Sequence, residues 1–119
     1  MKELQLTKAT EDMIDWAYAA ALPHFPKSER HVLSQEIRLC MWQILRLSVT
    51  VGRKYHKKTT LQQLDIELEM LRRMIRLAHE RKMISAKKYE HWSKLANAVG
   101  VIVGGWLKKQ QQSAAQGRA

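Results

Sequence analysis

The chain has 119 residues, with 21 Lys and Arg against 11 Asp and Glu, a formal net charge of +10. That length fills one domain with its own core, and the single cysteine, Cys40, excludes both a disulfide framework and a Cys-x-x-Cys metal knuckle. The basic surplus points to a polyanionic partner, nucleic acid first, in a reducing cytoplasm, and the longest apolar run, 98–107, is about half a membrane span, so neither secretion nor membrane insertion is expected.

A first helix is predicted from Thr7 or Thr10 to about Leu22, with Met13, Ala17 and Ala20 as a narrow seam. Pro23 and Pro26 then break the chain in LPHFPKSER. The second helix is expected from an N-cap at Ser28 to about Tyr55, on a seam of Leu33, Ile37, Cys40, Ile44, Leu47 and Val51. The third is expected to open at Thr59 or Thr60, each with Gln three residues on for a capping box, and to run to about Met83 on Leu61, Leu64, Leu68, Leu71, Ile75 and Ala78. Ser85 can cap the fourth, which reaches about Lys109 on Tyr89, Trp92, Leu95, Ala96, Val99, Ile102, Val103 and Trp106.

With no strand alternation of useful length, the fold that buries four amphipathic stripes in one core is an all-α, up-down-up-down four-helix bundle. Residues 1–110 form that single domain, and 111–119, which lose all periodicity, are expected to be a disordered tail.

A second apolar stripe remains on two helices after the core is assigned. On the second helix it is Leu39, Trp42, Leu45 and Val49; on the third it is Ile66, Met70, Met74 and Leu77. Another copy of the chain is the obvious cover, the alternative being a bundle that buries its helices more completely than a helical wheel indicates. Arg38, Arg46 and Arg53 surround Trp42, which makes it either a stacking platform for bases or an interface tryptophan covered by arginine stems.

Lys54, His56, Lys57 and Lys58 form a basic loop that either follows a phosphate backbone or is merely solvated. Arg72 and Arg76 stand one helical turn apart, with Arg73 beside them, and Glu69 and Glu80 neutralise only part of their charge. Arginine's planar fork suits phosphates or an acidic protein surface. Gly100 and Gly104 are spaced for close helix packing; Gly104 and Gly105 in succession imply tight packing or a local break, with Trp106 as the anchor.

Catalysis is not expected. The histidines His24, His31, His56, His79 and His91 are scattered, no Glu-x-x-His pair is available for a bundle di-metal site, and Cys40 sits on a core seam. No metal or other cofactor is therefore expected.

Three segments together resemble a known family: PHFPKSER, the stretch from Leu71-Arg72 to Ile75-Arg76-Leu77-Ala78, and Val99-Gly100 to Gly104-Gly105-Trp106-Leu107. They resemble the accessory variability determinant proteins of diversity-generating retroelements, and the related four-helix proteins of ribosomal RNA intervening sequences. The resemblance covers about Ile14 to Lys108. It implies a homopentameric barrel of bundles with a basic surface, which binds the element's reverse transcriptase and its template RNA, with DNA as a second candidate. Such proteins support the error-prone cDNA synthesis that diversifies a target gene, in a bacterial or phage-infected cell, while the polymerase supplies catalysis. By similarity Arg72 and Arg76 match the family's paired helix-three arginines, and Gly104, Gly105 and Trp106 match its Gly-Ser-Trp or Gly-Gly-Trp ending. Arg73 stands where relatives carry an apolar or aromatic residue. The alternative is a stand-alone bundle of the intervening-sequence type with no polymerase partner.

Overall fold

A computed structural model describes residues 2–117. Its main helices are α1 (Lys2–Trp16), α2 (Leu33–Arg53), α3 (Lys58–Glu80) and α4 (Ala86–Gly117), with no strand among the described residues. Each helix packs on its neighbour in sequence, and α4 closes the ring against α1. The connections 54–57 and 81–85 are too short for anything but antiparallel neighbours. The bundle measures 55 × 23 × 21 Å, the long axis set by α4. No helix among the described residues is long and apolar enough to cross a membrane.

The seams read from periodicity are the core. Ile37, Cys40, Ile44, Leu47 and Val51 of α2 are buried, as are Leu61, Leu64, Leu68, Leu71, Ile75 and Ala78 of α3 and Trp92, Ala96, Val99 and Val103 of α4. Where α1 meets α2, Thr10 Oγ1 and Ser48 Oγ lie 3.4 Å apart in the interior. Each hydroxyl also donates to a carbonyl of its own helix, Leu6 O at 2.9 Å and Ile44 O at 2.7 Å, so these small polar groups are buried without an orphaned donor.

The helix ends differ from expectation in ways the side chains explain. Helix α1 begins at Lys2, because Thr7 and Thr10 donate back to Leu4 O and Leu6 O as mid-helix threonines do, instead of capping an N-terminus. After Trp16 the helix widens into a π-turn over Ala17–Ala21, the Leu22 N–H reaching back to Ala17 O. Pro23 follows in a short 3-10 turn, Leu22–His24, and Phe25 is extended ahead of Pro26. Ser28 falls in a second 3-10 turn, Lys27–Glu29, and α2 starts at Leu33, whose N–H is met by the Glu29 carboxylate at 3.2 Å.

No side chain caps α3, so the Thr59 or Thr60 capping box is not formed. Its carboxyl end closes with Lys82 at φ 61° and with bonds from Met83 N to Ala78 O and Lys82 N to His79 O, a Schellman-type stop. Ser85 does cap α4, its Oγ accepting the Lys88 N–H at 3.2 Å. Helix α4 runs on through Gly117, across most of the segment expected as a tail, since Gln and Ala favour helix and no proline intervenes. Residues 118–119 lie outside the described residues.

Candidate functional site

The surplus apolar stripes of α2 and α3 approach each other at Leu39 and Met70. Leu39, Trp42 and Val49 of α2 are exposed, and so are Met70, Leu77 and Ile66 of α3, the last at 66%. Leu45 is half-buried against the core. Met74 corrects the expectation for its stripe: at 5% exposure it belongs to the core, because it sits where α3 turns toward α2. Between the two helices runs a groove of about 350 Å³ edged by Leu39, Gln43, Arg46 and Met70, with Cys40 and Met74 at its base.

Cys40 donates to the Glu67 backbone carbonyl at 3.3 Å and lies 3.5 Å from its carboxylate. Burial, reinforced by that carboxylate, pushes the thiol up from 9.0 to about 12. A raised folded-state pKa favours the protonated thiol. Its contribution to stability is thus complete below about pH 9 and is lost as pH rises from there toward 12. Native protein at pH 8 is accordingly expected to resist iodoacetamide, and protein in denaturant to be alkylated rapidly, with intact mass as the readout; equal rates would contradict the burial.

The π-turn contributes a residue that periodicity missed. It presents Tyr18 to α2, where the Trp42 Nε1–H donates to Tyr18 Oη at 3.0 Å, the two rings meet edge-on at 6.1 Å, and the Arg38 guanidinium stands 5.8 Å from the Tyr18 ring centroid. Trp42 is thereby held rigid beside a cation. The Ala-Tyr-Ala-Ala-Ala run just ahead of Leu-Pro was the available signal, but an i to i+5 turn has no hydrophobic period of its own.

The basic residues do not converge on one patch. Arg38 belongs to the Tyr18 and Trp42 cluster on the α1 side of α2, whereas Arg46 edges the α2–α3 groove and donates to Gln43 Oε1 at 3.2 Å. Arg73 pairs with Glu69 at 3.1 Å and Arg76 with Glu80 at 3.8 Å, both exposed pairs within a helix and worth only a few tenths of a kcal/mol. Arg53, Lys54 and Lys58 are exposed at the α2–α3 end of the bundle and form no ion pair among the described residues. Lys57 has a structural task instead. Its ammonium donates to Val51 O at 2.6 Å and Lys54 O at 2.8 Å, closing the carboxyl end of α2, and stands 5.6 Å from the Trp106 ring centroid.

Arg72 and Arg76 do not project as a matched pair. Arg76 is exposed, but Arg72 is half-buried and reaches across to α4, its guanidinium lying against Gly100 where a side chain would otherwise stand. Its Nε is buried with no hydrogen-bond partner among the described residues. Gly100 therefore serves as a notch for an arginine. Gly104 and Gly105 pack against no other helix of this chain among the described residues: they are exposed, and a Cβ on either would meet nothing within 4 Å. Trp106 does anchor, half-buried against the core beneath Lys57.

A family model described as bAvd-like matches residues 4–110, nearly the whole bundle. The chain belongs to the bAvd-like family. That membership supports the resemblance to accessory variability determinants and carries their coarse role, an accessory part in diversity-generating retroelements. No curated protein matches the chain.

Within this bAvd-like protein the Gly100 notch makes a separable prediction. Alanine at position 100 gains up to about 1 kcal/mol of helix propensity and displaces only the tip of a flexible side chain. Gly100→Ala is thus expected to melt at or above the temperature of the parent protein. Thermal unfolding checks this, and a sharp loss of stability would show that the glycine serves the backbone rather than Arg72.

Proposed function

We propose that the protein is a non-enzymatic, oligomeric accessory factor, a pentamer of bundles, that holds template RNA and the reverse transcriptase of its retroelement together for mutagenic cDNA synthesis in the cytoplasm. The observation that carries this reading is membership of the bAvd-like family over residues 4–110. Two features of the chain support it. The exposed apolar flank of α2 and α3 is the kind of surface that a further copy would cover, and the +10 charge leaves unneutralised cations such as Arg53, Lys54 and Lys58 to engage phosphates. The polymerase supplies the chemistry; this chain supplies charge and geometry.

The test has two arms. Light scattering on nuclease-treated protein should give the mass of a pentamer, and the affinity for template RNA should fall linearly in log terms with log salt concentration, one phosphate contact adding roughly 0.7 to 0.9 to the slope. Co-expression with the reverse transcriptase encoded at the same locus should then recover both proteins in one complex. A monomer with salt-independent RNA binding and no polymerase capture would overturn the proposal in favour of a stand-alone bundle.

A further inference from the structure

Between the end of α1 and the first turns of α4 lies a surface cleft of about 400 Å³, bordered by Trp16, Lys87, Lys88, Glu90, His91 and Lys94. It lies on the α1–α4 flank, across the helix ring from the apolar α2–α3 band. Trp16 is half-buried and braced: its ring lies 4.7 Å from that of His91, tilted by 48°, and 5.9 Å edge-on from that of buried Trp92. An indole held in this way loses little conformational entropy when a second flat ring stacks on it.

Charge surrounds the indole. Three lysines against one glutamate leave a surplus of two positive charges, leaving His91 aside, and the Glu90 carboxylate is already engaged 3.5 Å from Lys94 Nζ. Lysines act as mobile point charges and suit a phosphate chain of variable path better than a single fixed anion. A lone phosphate would leave the aromatic wall unused. A duplex would offer phosphates but no free ring, since its bases are already stacked.

The geometry points to this cleft as the seat of one unstacked nucleotide of a single-stranded nucleic acid, its base on Trp16 beside His91 and its flanking phosphates on Lys87, Lys88 and Lys94. The inference rests on the nucleic-acid part of the proposed function and adds to it a place and a preference for single strands. None of these residues follows from helical periodicity, because α1 and α4 bring them together from opposite ends of the chain.

Full-length, nuclease-treated protein would be titrated with fluorescein-labelled oligouridylate and, separately, with an RNA duplex, between about 50 and 200 mM salt. The double variant Lys87→Gln, Lys94→Gln changes only exposed positions. It is expected to lower the log–log salt slope for oligouridylate by about 1.4, two phosphates at roughly 0.7 each on a single strand. Trp16→Leu is expected to weaken oligouridylate about tenfold and to leave the duplex unaffected, with Trp16→Phe restoring part of the loss. Because Trp16 also packs on the core, photocrosslinking of the unaltered protein to a 4-thiouridine oligonucleotide provides a measurement free of folding effects, with adducts expected on the peptides that carry Trp16 or His91. An unchanged slope in the lysine variant, or crosslinks confined to other peptides, would overturn the cleft while nucleic-acid binding stands. Failure of the parent protein to bind either RNA would overturn both.

Discussion

Glutamate at both Trp42 and Met70 is expected to reduce the particle to a single 13.9 kDa chain with unchanged helicity. Both residues are exposed on the isolated bundle, Trp42 at 44% and Met70 at 50%; the change at Met70 should move stability by no more than about 0.5 kcal/mol, and that at Trp42 by about 1 kcal/mol more, because its hydrogen bond to Tyr18 Oη is lost as well. Across an interface between copies the same carboxylates would be buried without partners, at a cost of several kcal/mol each. The difference between these two costs is what the experiment measures, by light scattering alongside far-ultraviolet circular dichroism. Val101→Glu provides the control, because Val101 is an exposed apolar residue on α4, at 75% more open than either, away from the α2–α3 flank. An oligomer that survives the double substitution would remove the band from consideration as the interface, and a loss of helicity would mean that the two side chains support the bundle itself.

The long middle helices were legible because their burial has one period and one direction. Leu61, Leu64, Leu68 and Leu71 repeat on a single seam and all face the core, and the leftover residues Leu39, Trp42, Ile66 and Met70 were placed off that core by the same wheel that buried the others. Met74 escaped because a wheel knows angle but not neighbours: it lies on the second stripe by angle, yet α2 stands close enough on that side to cover it. Helix ends were read less well. Thr7 and Thr10 look like caps in sequence, but the same hydroxyls serve the helix interior by bonding back to Leu4 O and Leu6 O.

The candidate site was legible as a list of residues and illegible as an arrangement. Arg72 was singled out on α3 by its spacing from Arg76, but its resting place depends on an absent side chain at Gly100, 28 positions later and on another helix. Lys57 looked like one more loop cation until its ammonium was found on two backbone carbonyls. Trp16 and His91 carried no mutual signal at all, since neither belongs to a motif and their proximity arises only when α4 closes the ring on α1.

Trp92 sets two large effects against each other. It is wholly buried and packs edge-on against Trp16, so truncation to alanine removes a large apolar volume from the top of the bundle; Trp→Ala changes in cores typically cost about 3 to 5 kcal/mol. Its Nε1–H, however, is buried with no hydrogen-bond partner among the described residues, and an orphaned donor of this kind already charges the native state about 1 to 3 kcal/mol. Alanine removes the orphan as well as the volume, which places Trp92→Ala near the low end of its range, at about 3 kcal/mol. That remains a large fraction of the 5 to 15 kcal/mol, roughly, that holds a domain together. Phenylalanine separates the two terms, because it keeps most of the ring volume and discards the donor. Trp92→Phe is therefore expected to unfold in denaturant within about 1 kcal/mol of the parent protein, at an unchanged m-value. If phenylalanine proved as damaging as alanine, the indole N–H would have to be satisfied in the folded protein, and the accounting of the α1–α4 contact would be wrong at that atom.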